Sequence, residues 1–220
     1  MVEYKPLQAS VYQHLKKAIL DGEYNFDTIY SETKVACGLG VSRTPVRDAL
    51  LRLNQEHYVD IIPSKGFMLH KPDHDDFREA CQTRLAIEGF CAKQLALRRD
   101  EKAGQATIAA MRACLAEMAT VPMPENTKDF WALDMRFHRM VIDFMDNSIF
   151  EELFSTYMHY FISTIFFPLY VEKRRDQTTL AEHQLLMDAI EKGDPENVER
   201  AVKRHLDTSV ALTAFTAEYA

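Results

Sequence analysis

The chain has 220 residues, 47% hydrophobic and 27% charged, with a net charge of −7. That balance belongs to a folded globular protein with enough chain for one large or two small domains around a real core. No run of about 18 apolar residues occurs, which argues against a membrane span, and Met1–Pro6 lack the basic-then-apolar order of a secretory signal, so the cytoplasm is the expected compartment.

Leu7 to Leu20 reads as a first helix with Leu7, Val11, Leu15, Ala18 and Ile19 as its inner stripe, ended by Asp21-Gly22. Glu23 to Tyr30 is a connector. Ser31 is placed to N-cap a second helix, Glu32 to Gly38, with Val35 and Ala36 facing inward. A tight turn at Leu39-Gly40-Val41 leads into a third helix capped by Ser42, with Pro45 in its first turn. Val46, Ala49, Leu50 and Leu53 fall at i, i+3, i+4, i+7 and make one apolar face; Arg43, Thr44 and Arg47 lie at the leading end, off that face. A helix of that kind is either an ordinary amphipathic surface helix with solvated arginines or a reader of the DNA major groove. In the second case hydroxyls and backbone N–H groups take phosphates and Arg reads guanine edges. Helix, glycine-containing turn, helix is the helix-turn-helix pattern.

Two β-rich runs, Tyr58–Ile62 and Phe67–His70, flank the turn Pro63-Ser64-Lys65-Gly66. They predict a hairpin, and a hairpin behind a helix-turn-helix is a wing whose tip, Lys65 and Gly66, can lie on backbone or in the minor groove. Lys71-Pro72-Asp73-His74-Asp75 reads as a hinge. Beyond it the pattern is helical throughout, over roughly 75–98, 101–119, 126–145, 148–170, 175–192 and 195–217, with a kink or early end expected at Phe166-Phe167-Pro168. The expected fold is therefore mainly α: an N-terminal winged helix-turn-helix with a small β-hairpin wing, followed by an all-α antiparallel helical bundle. The expected division is 1–71 for DNA binding and 72–220 for ligand and metal binding and dimerisation. Residues 1–71 carry nine Lys and Arg against eight Asp and Glu, so the excess acid lies in the second part. DNA affinity follows the charge of the contacting surface rather than of the whole chain.

In the helical part, Asp134 and His138 stand at i, i+4 on one face, and His183 and His205 lie mid-helix among apolar residues. Taken singly, each is an ordinary hydrogen-bonded or surface residue. Together, one carboxylate and three imidazoles from three antiparallel helices can converge in a bundle interior and hold a divalent ion: Zn, Ni, Mn or Fe, with Zn the default. Without a thiolate, such a site keeps open positions for water or a ligand rather than closing as a structural zinc site. Arg84 and Glu88 form another i, i+4 pair. It is either a surface salt bridge or an inward-facing arginine that receives an anionic ligand. His14, His57, His70, His74 and His159 show no such pattern and read as surface or satisfied residues. Cys37, Cys81, Cys91 and Cys114 contain no C-x-x-C and read as buried free thiols of a reducing compartment.

The segment Ser42-Arg43-Thr44-Pro45-Val46-Arg47-Asp48-Ala49-Leu50-x-x-Leu53 resembles the recognition-helix signature of GntR-family transcription regulators. The order Arg84-x-x-x-Glu88, Asp134-x-x-x-His138, Glu182-His183, Gly193-Asp194 and His205-Leu206 resembles the effector domain of the FadR-like subfamily, the FCD type. The resemblance runs from about 7 to 215. It implies a homodimer on a near-palindromic double-stranded DNA operator, usually as a repressor, and a bundle that senses a small carboxylate or hydroxy-acid effector. The two recognition helices would lie about 34 Å apart, and the effector would act through the hinge at 71–75. It also implies Asp134, His138, His183 and His205 as metal ligands, Arg84 as a contact of the effector carboxylate, and Asn147 at a helix junction in a structural role. Three positions depart from the family pattern. The connector before Ser31 lacks its Pro-Gly, Thr33-Lys34 opens the second helix, and His57 stands where glycine is usual, a strained choice if the backbone there needs positive φ. Two rivals remain at this point: a metal-dependent enzyme acting on a small carboxylic acid, which would leave residues 1–70 without a role, and a metal that merely staples three helices.

Overall fold

The computed structural model describes residues 7–71, 73–123, 125–155 and 176–216. The chain divides into two compact units, Met1–Pro72 and Asp73–Ala220.

The first unit holds α1 (Leu7–Leu20), α2 (Glu32–Gly38), α3 (Arg43–Gln55), β1 (Val59–Ile62) and β2 (Gly66–Leu69). Its core forms where α1 packs on α3. Val11, Leu15, Ala18 and Ile19 meet Val46, Ala49, Leu50 and Leu53, all buried. Each large aliphatic side chain removed from water in this way contributes about 1.5–3 kcal/mol. The α1 stripe differs from expectation at one end. Leu7 is exposed, and Tyr12 is buried in the stripe because its hydroxyl finds a buried acceptor, Glu56, at 2.6 Å. Lys16 and Arg52 also reach Glu56, each at 2.9 Å, which ties α1 to the C-terminal end of α3. Burial acts to raise the Glu56 pKa, but the hydrogen bonds from Lys16, Tyr12 and Arg52 outweigh it and hold the carboxyl below its ordinary value. Ser31 and Ser42 stand at the N-cap positions in extended backbone, yet neither hydroxyl makes the capping bond. Cys37 is exposed rather than buried.

β1 and β2 pair antiparallel with Val59 opposite Leu69 and Ile62 opposite Gly66. The wing gains a third backbone link: Tyr30 donates to the Phe67 carbonyl at 2.7 Å and accepts from its N–H at 3.0 Å. A Cβ on Gly66, at φ +137°, would lie 2.0 Å from the Tyr30 oxygen. Glycine is thus required at the start of β2 by this close approach, and the exposed tip is Pro63-Ser64-Lys65. His57 does take positive φ, +58°, and sits beside His70, which pairs with Asp60 at 3.0 Å.

The second unit holds α4 (His74–Leu97), α5 (Lys102–Met118), α6 (Thr127–Asp143), α7 (Ser148–Leu153), α8 (Asp176–Lys192) and α9 (Pro195–Thr216). His74, expected in the hinge, belongs to α4, and Asp75 lies in it as the expected helix start at 75 requires. Asp73 caps that helix through bonds from the N–H groups of Asp75 and Asp76, and the Asp76 side chain reciprocates. Asn147 caps α7 through bonds from the N–H groups of Ile149 and Phe150, without a reciprocating side chain. Residues 156–175, including the expected kink at 166–168 and His159, lie outside the described residues. A single core built from Leu95, Met111, Phe130, Phe137, Met187, Ile190, Val198 and their neighbours joins α4, α5, α6, α8 and α9. Cys81, Cys91 and Cys114 are buried in it, and burial pushes the Cys81 thiol up to about 11. Among the described residues no helix is long and apolar enough to cross a membrane.

The turn between α8 and α9 sets the register of that pair. Gly193, at φ +67°, returns its N–H to Ile190 at 3.0 Å, and Asp194 returns its own to Ala189 at 3.1 Å, a Schellman ending. Any Cβ on Gly193 would meet the Arg99 guanidinium at 2.2 Å. Asp194 then opens α9 by accepting from the Asn197 N–H at 3.1 Å. This tight antiparallel hairpin brings His183 and His205 to the same level of the bundle, with imidazole centroids 4.9 Å apart.

Candidate nucleic-acid interface and metal centre

In the first unit the apolar face of α3 is consumed by the core, so its opposite side must face solvent. Ser42, Arg43, Thr44 and Arg47 are all exposed there, together with Leu51. Arg43 is steadied by Glu32 of α2 at 3.6 Å, a partner that spacing within α3 could not reveal. Arg43, Arg47 and Leu51 border a cleft of about 380 Å³ whose other walls are the start of α2 and the wing from Ile61 to Gly66. Lys65 projects at the wing tip, while Gly66 lines the cleft and is held by its contact with Tyr30. Thr33, at the start of α2, borders the same cleft. Two arginines, a lysine and two hydroxyls on one open face, behind a helix N-terminus, are donors of the kind that phosphate oxygens and base edges accept from.

In the second unit, α6 explains why two polar side chains are buried. Phe130, Leu133, Phe137 and Val141 line its inner face at helical spacing, and Asp134 and His138 occupy the same face. His183 of α8 and His205 of α9 arrive from the hairpin. The ligand atoms of His138, His183 and His205 all lie within 4.8 Å of one another. The two Nε2 atoms of His138 and His183 are 3.2 Å apart, and Asp134 Oδ1 lies 3.5 Å from His183 Nε2. Asp134 Oδ2 is 4.0 Å from His138 Nε2. Phe137 stacks on the His183 ring at 4.3 Å and fixes its plane.

Two carboxylates orient this cluster from behind. Glu88 of α4 lies 2.7 Å from His138 Nδ1, and Glu182 lies 3.0 Å from His205 Nδ1. An ionised carboxylate can only accept, so both imidazoles carry their proton on Nδ1 and present Nε2. Burial pushes the His205 imidazolium down against the pull of Glu182, which favours the neutral, ligating form. Glu88 is also held by Arg84, through Nε and through Nη2 at 3.2 Å. Burial alone would raise its pKa, but the Arg84 charge and the hydrogen bonds from His138 and Arg84 outweigh this and hold the carboxyl far below its usual range. The Arg84–Glu88 pair is therefore interior, with both side chains 5% exposed, and not the surface salt bridge that was one of its two expected readings. Glu182 is adjacent in sequence to His183 yet serves His205. Its role and that of Glu88 toward His138 depend on packing between helices, which spacing along one helix does not carry.

The residues fit a divalent ion. A metal held at about 2.1 Å by two imidazoles spans an N–N edge of roughly 3.0–3.4 Å, and the His138–His183 separation is of that length. Asp134 Oδ1 is buried without a hydrogen-bond partner among the described residues, an arrangement that a cation relieves.

Residues 7–69 match the family described as bacterial regulatory proteins, gntR family, and residues 79–208 match the FCD domain. The chain is 25% identical over 202 residues to the uncharacterised HTH-type transcriptional regulator YdhC of Bacillus subtilis, covering 92% of this chain and 88% of that one. It is likewise 25% identical over 206 residues to the HTH-type transcriptional repressor RspR of Escherichia coli K12, covering 92% and 86%. The crystal structure of a GntR transcriptional regulator from Rhodococcus sp. RHA1 shares its fold with a TM-score of 0.71 at 20% identity, over 94% of this chain and 97% of that one. These relatives are regulators and not enzymes, which removes the enzymatic rival. The winged helix with its exposed arginines and the helical unit that follows it in the chain are those of a DNA-binding transcriptional regulator, and the chain belongs to the GntR family, in its FCD-domain branch.

Proposed function

We propose that the protein is an operator-binding regulator, most simply a cytoplasmic homodimeric repressor, whose DNA affinity is set by a small organic acid bound at a divalent metal in the helical unit. The observation that carries this is the buried set of three imidazoles with Asp134, backed by Glu88 and Glu182. Asp134, His138, His183 and His205 would hold the ion, with zinc the first candidate. A metal there supplies a fixed positive charge and open positions for a carboxylate. Glu88 and Glu182 keep His138 and His205 in the ligating tautomer. Arg84 donates two N–H groups to Glu88 and retains an Nη1 end without a protein partner among the described residues, as a counter-charge for the acid. Arg43 and Arg47 read bases or adjacent phosphates, Ser42 and Thr44 anchor a phosphate, and Lys65 and Gly66 touch the backbone from the wing.

Two variants test the halves separately. Arg47→Ala should abolish binding to the operator, found by selection from genomic DNA, while zinc content measured by elemental mass spectrometry stays at the wild-type level. His183→Ala should lose the zinc and any acid-dependent change in operator binding while far-ultraviolet circular dichroism stays native. A normal gel shift by Arg47→Ala would remove the recognition-helix assignment. Full zinc retention by His183→Ala would remove the metal site. Chelation that lowers thermal stability but leaves every acid-dependent DNA effect intact would favour a purely structural metal.

A further inference from the structure

Thr179 sits on α8 one helical turn before His183, on the same face. It is 1% exposed, and its hydroxyl has no hydrogen-bond partner among the described residues. A threonine inside a helix normally returns its hydroxyl to a backbone carbonyl of the preceding turn, as Thr208 does to Arg204 at 2.8 Å on α9. A buried hydroxyl that forgoes this loses its hydrogen bond to water and gains nothing in exchange.

The register of the bundle places Thr179 in a layer next to the histidines. On α9 the residue one turn beyond His205 is Ser209, also buried, whose hydroxyl is taken by the His205 carbonyl at 2.9 Å. On α4 the residue one turn before Glu88 is Arg84, and on α6 the residue one turn before His138 is Asp134. The hairpin geometry of α8 and α9 carries Thr179 and Ser209 to the same side of the histidine level. One turn along their own helices from Glu88, His138, His205 and His183 thus stand one cation, one carboxylate, one committed hydroxyl and one uncommitted hydroxyl.

We infer that Thr179 is a specificity-determining residue of the effector site and that it hydrogen-bonds the hydroxyl group of a 2-hydroxy-carboxylic acid. This rests on the reading of the helical unit as an acid-binding metal site. The carboxylate of such an acid has its charge complement in Arg84 and the ion. A neutral hydroxyl, both donor and acceptor, matches the neutral donor-acceptor that Thr179 offers. A site built to pair a ligand hydroxyl rejects the analogue that lacks it, because its own polar group is then left buried and unpaired.

The experiment uses the full-length, zinc-loaded protein and two probe pairs that differ by a single hydroxyl: lactate against propionate, and malate against succinate. Isothermal titration calorimetry reads each affinity. The wild type should prefer the hydroxy acid of at least one pair by tenfold or more. Thr179→Val, which keeps the shape and loses the hydroxyl, should bring that ratio to within about twofold of one, leaving the deoxy acid's affinity and the zinc content unchanged. Thr179→Ser should restore the preference. Without ligand, Thr179→Val should melt no lower than the wild type, since it removes an unpaired polar atom, whereas a structural hydroxyl would cost stability. A ratio that survives Thr179→Val, or a wild type that binds both members of each pair equally, overturns the assignment while the acid-binding reading stands. Failure of the zinc-loaded wild type to bind any of the four acids overturns both.

Discussion

Glu88→Gln isolates the part of the helical unit on which the site is hung. Among the described residues Glu88 is the single acceptor for Arg84 and for His138 Nδ1, and all three side chains are buried. The amide keeps the volume and one acceptor but removes the charge, which has two separable effects. Arg84 is left in the interior without its counter-charge, a loss of about 3–5 kcal/mol when a buried pair is broken from one side, with the retained acceptor pointing to the lower end. His138 loses the carboxylate that fixes its tautomer, and metal affinity should fall about 10–100-fold, the usual effect of removing such a partner. Trp131, the sole tryptophan, lies on α6 and so reports unfolding of the helical unit alone. Urea unfolding of chelator-treated protein, followed by its fluorescence, reads the first effect, and competition with a zinc chelator reads the second. The double variant Arg84→Met/Glu88→Leu removes both charges. It should recover most of the stability but none of the affinity. If Glu88→Gln unfolds within about 1 kcal/mol of wild type and binds zinc within about threefold, the orienting role of Glu88 is wrong.

The winged unit offers three further tests. Gly66→Ala would force the Tyr30 carbonyl away from β2, breaking two backbone hydrogen bonds at positive φ. Scanning calorimetry should show a loss of about 2–4 kcal/mol in that unit, with weaker operator binding. Glu56→Gln should flatten the acid limb of its stability curve. Lys16, Tyr12 and Arg52 lower the Glu56 pKa, so its contribution is complete above the ordinary value of 4.5 and is lost as pH falls through the lower native value. Unfolding midpoints at pH 3 to 7 read this, and a parallel shift of the wild-type and variant curves would count against it. His57→Gly relieves a left-handed backbone at φ +58° and should stabilise the unit by about 0.5–1 kcal/mol, net of the entropy glycine adds to the unfolded chain.

The fold was legible where one element carries its own signal. The i, i+3, i+4, i+7 stripe of α3, the Pro/Gly turn of the wing, the Gly193-Asp194 break and the Asp134/His138 pair are local patterns, and each lies where the spacing put it. Expectations failed where a side chain's fate depended on a distant partner. Leu7 yielded its place in the stripe to Tyr12 because Glu56, far along the chain, supplied a buried acceptor. His74 joined α4 because Asp73 and Asp76 close a reciprocal cap.

The chain by itself determined which helices form, which faces turn inward and which residues are able to ligate, because periodicity and residue chemistry act over a turn or two. Only the tertiary structure decided what each buried polar group answers to. Glu88 orients His138 from α4, Glu182 passes over its neighbour to reach His205, and Thr179 is left with a buried hydroxyl beside them. The physical reason is that desolvation makes every interior polar atom depend on a partner, and in a helical bundle that partner is chosen by the packing of helices far apart in sequence.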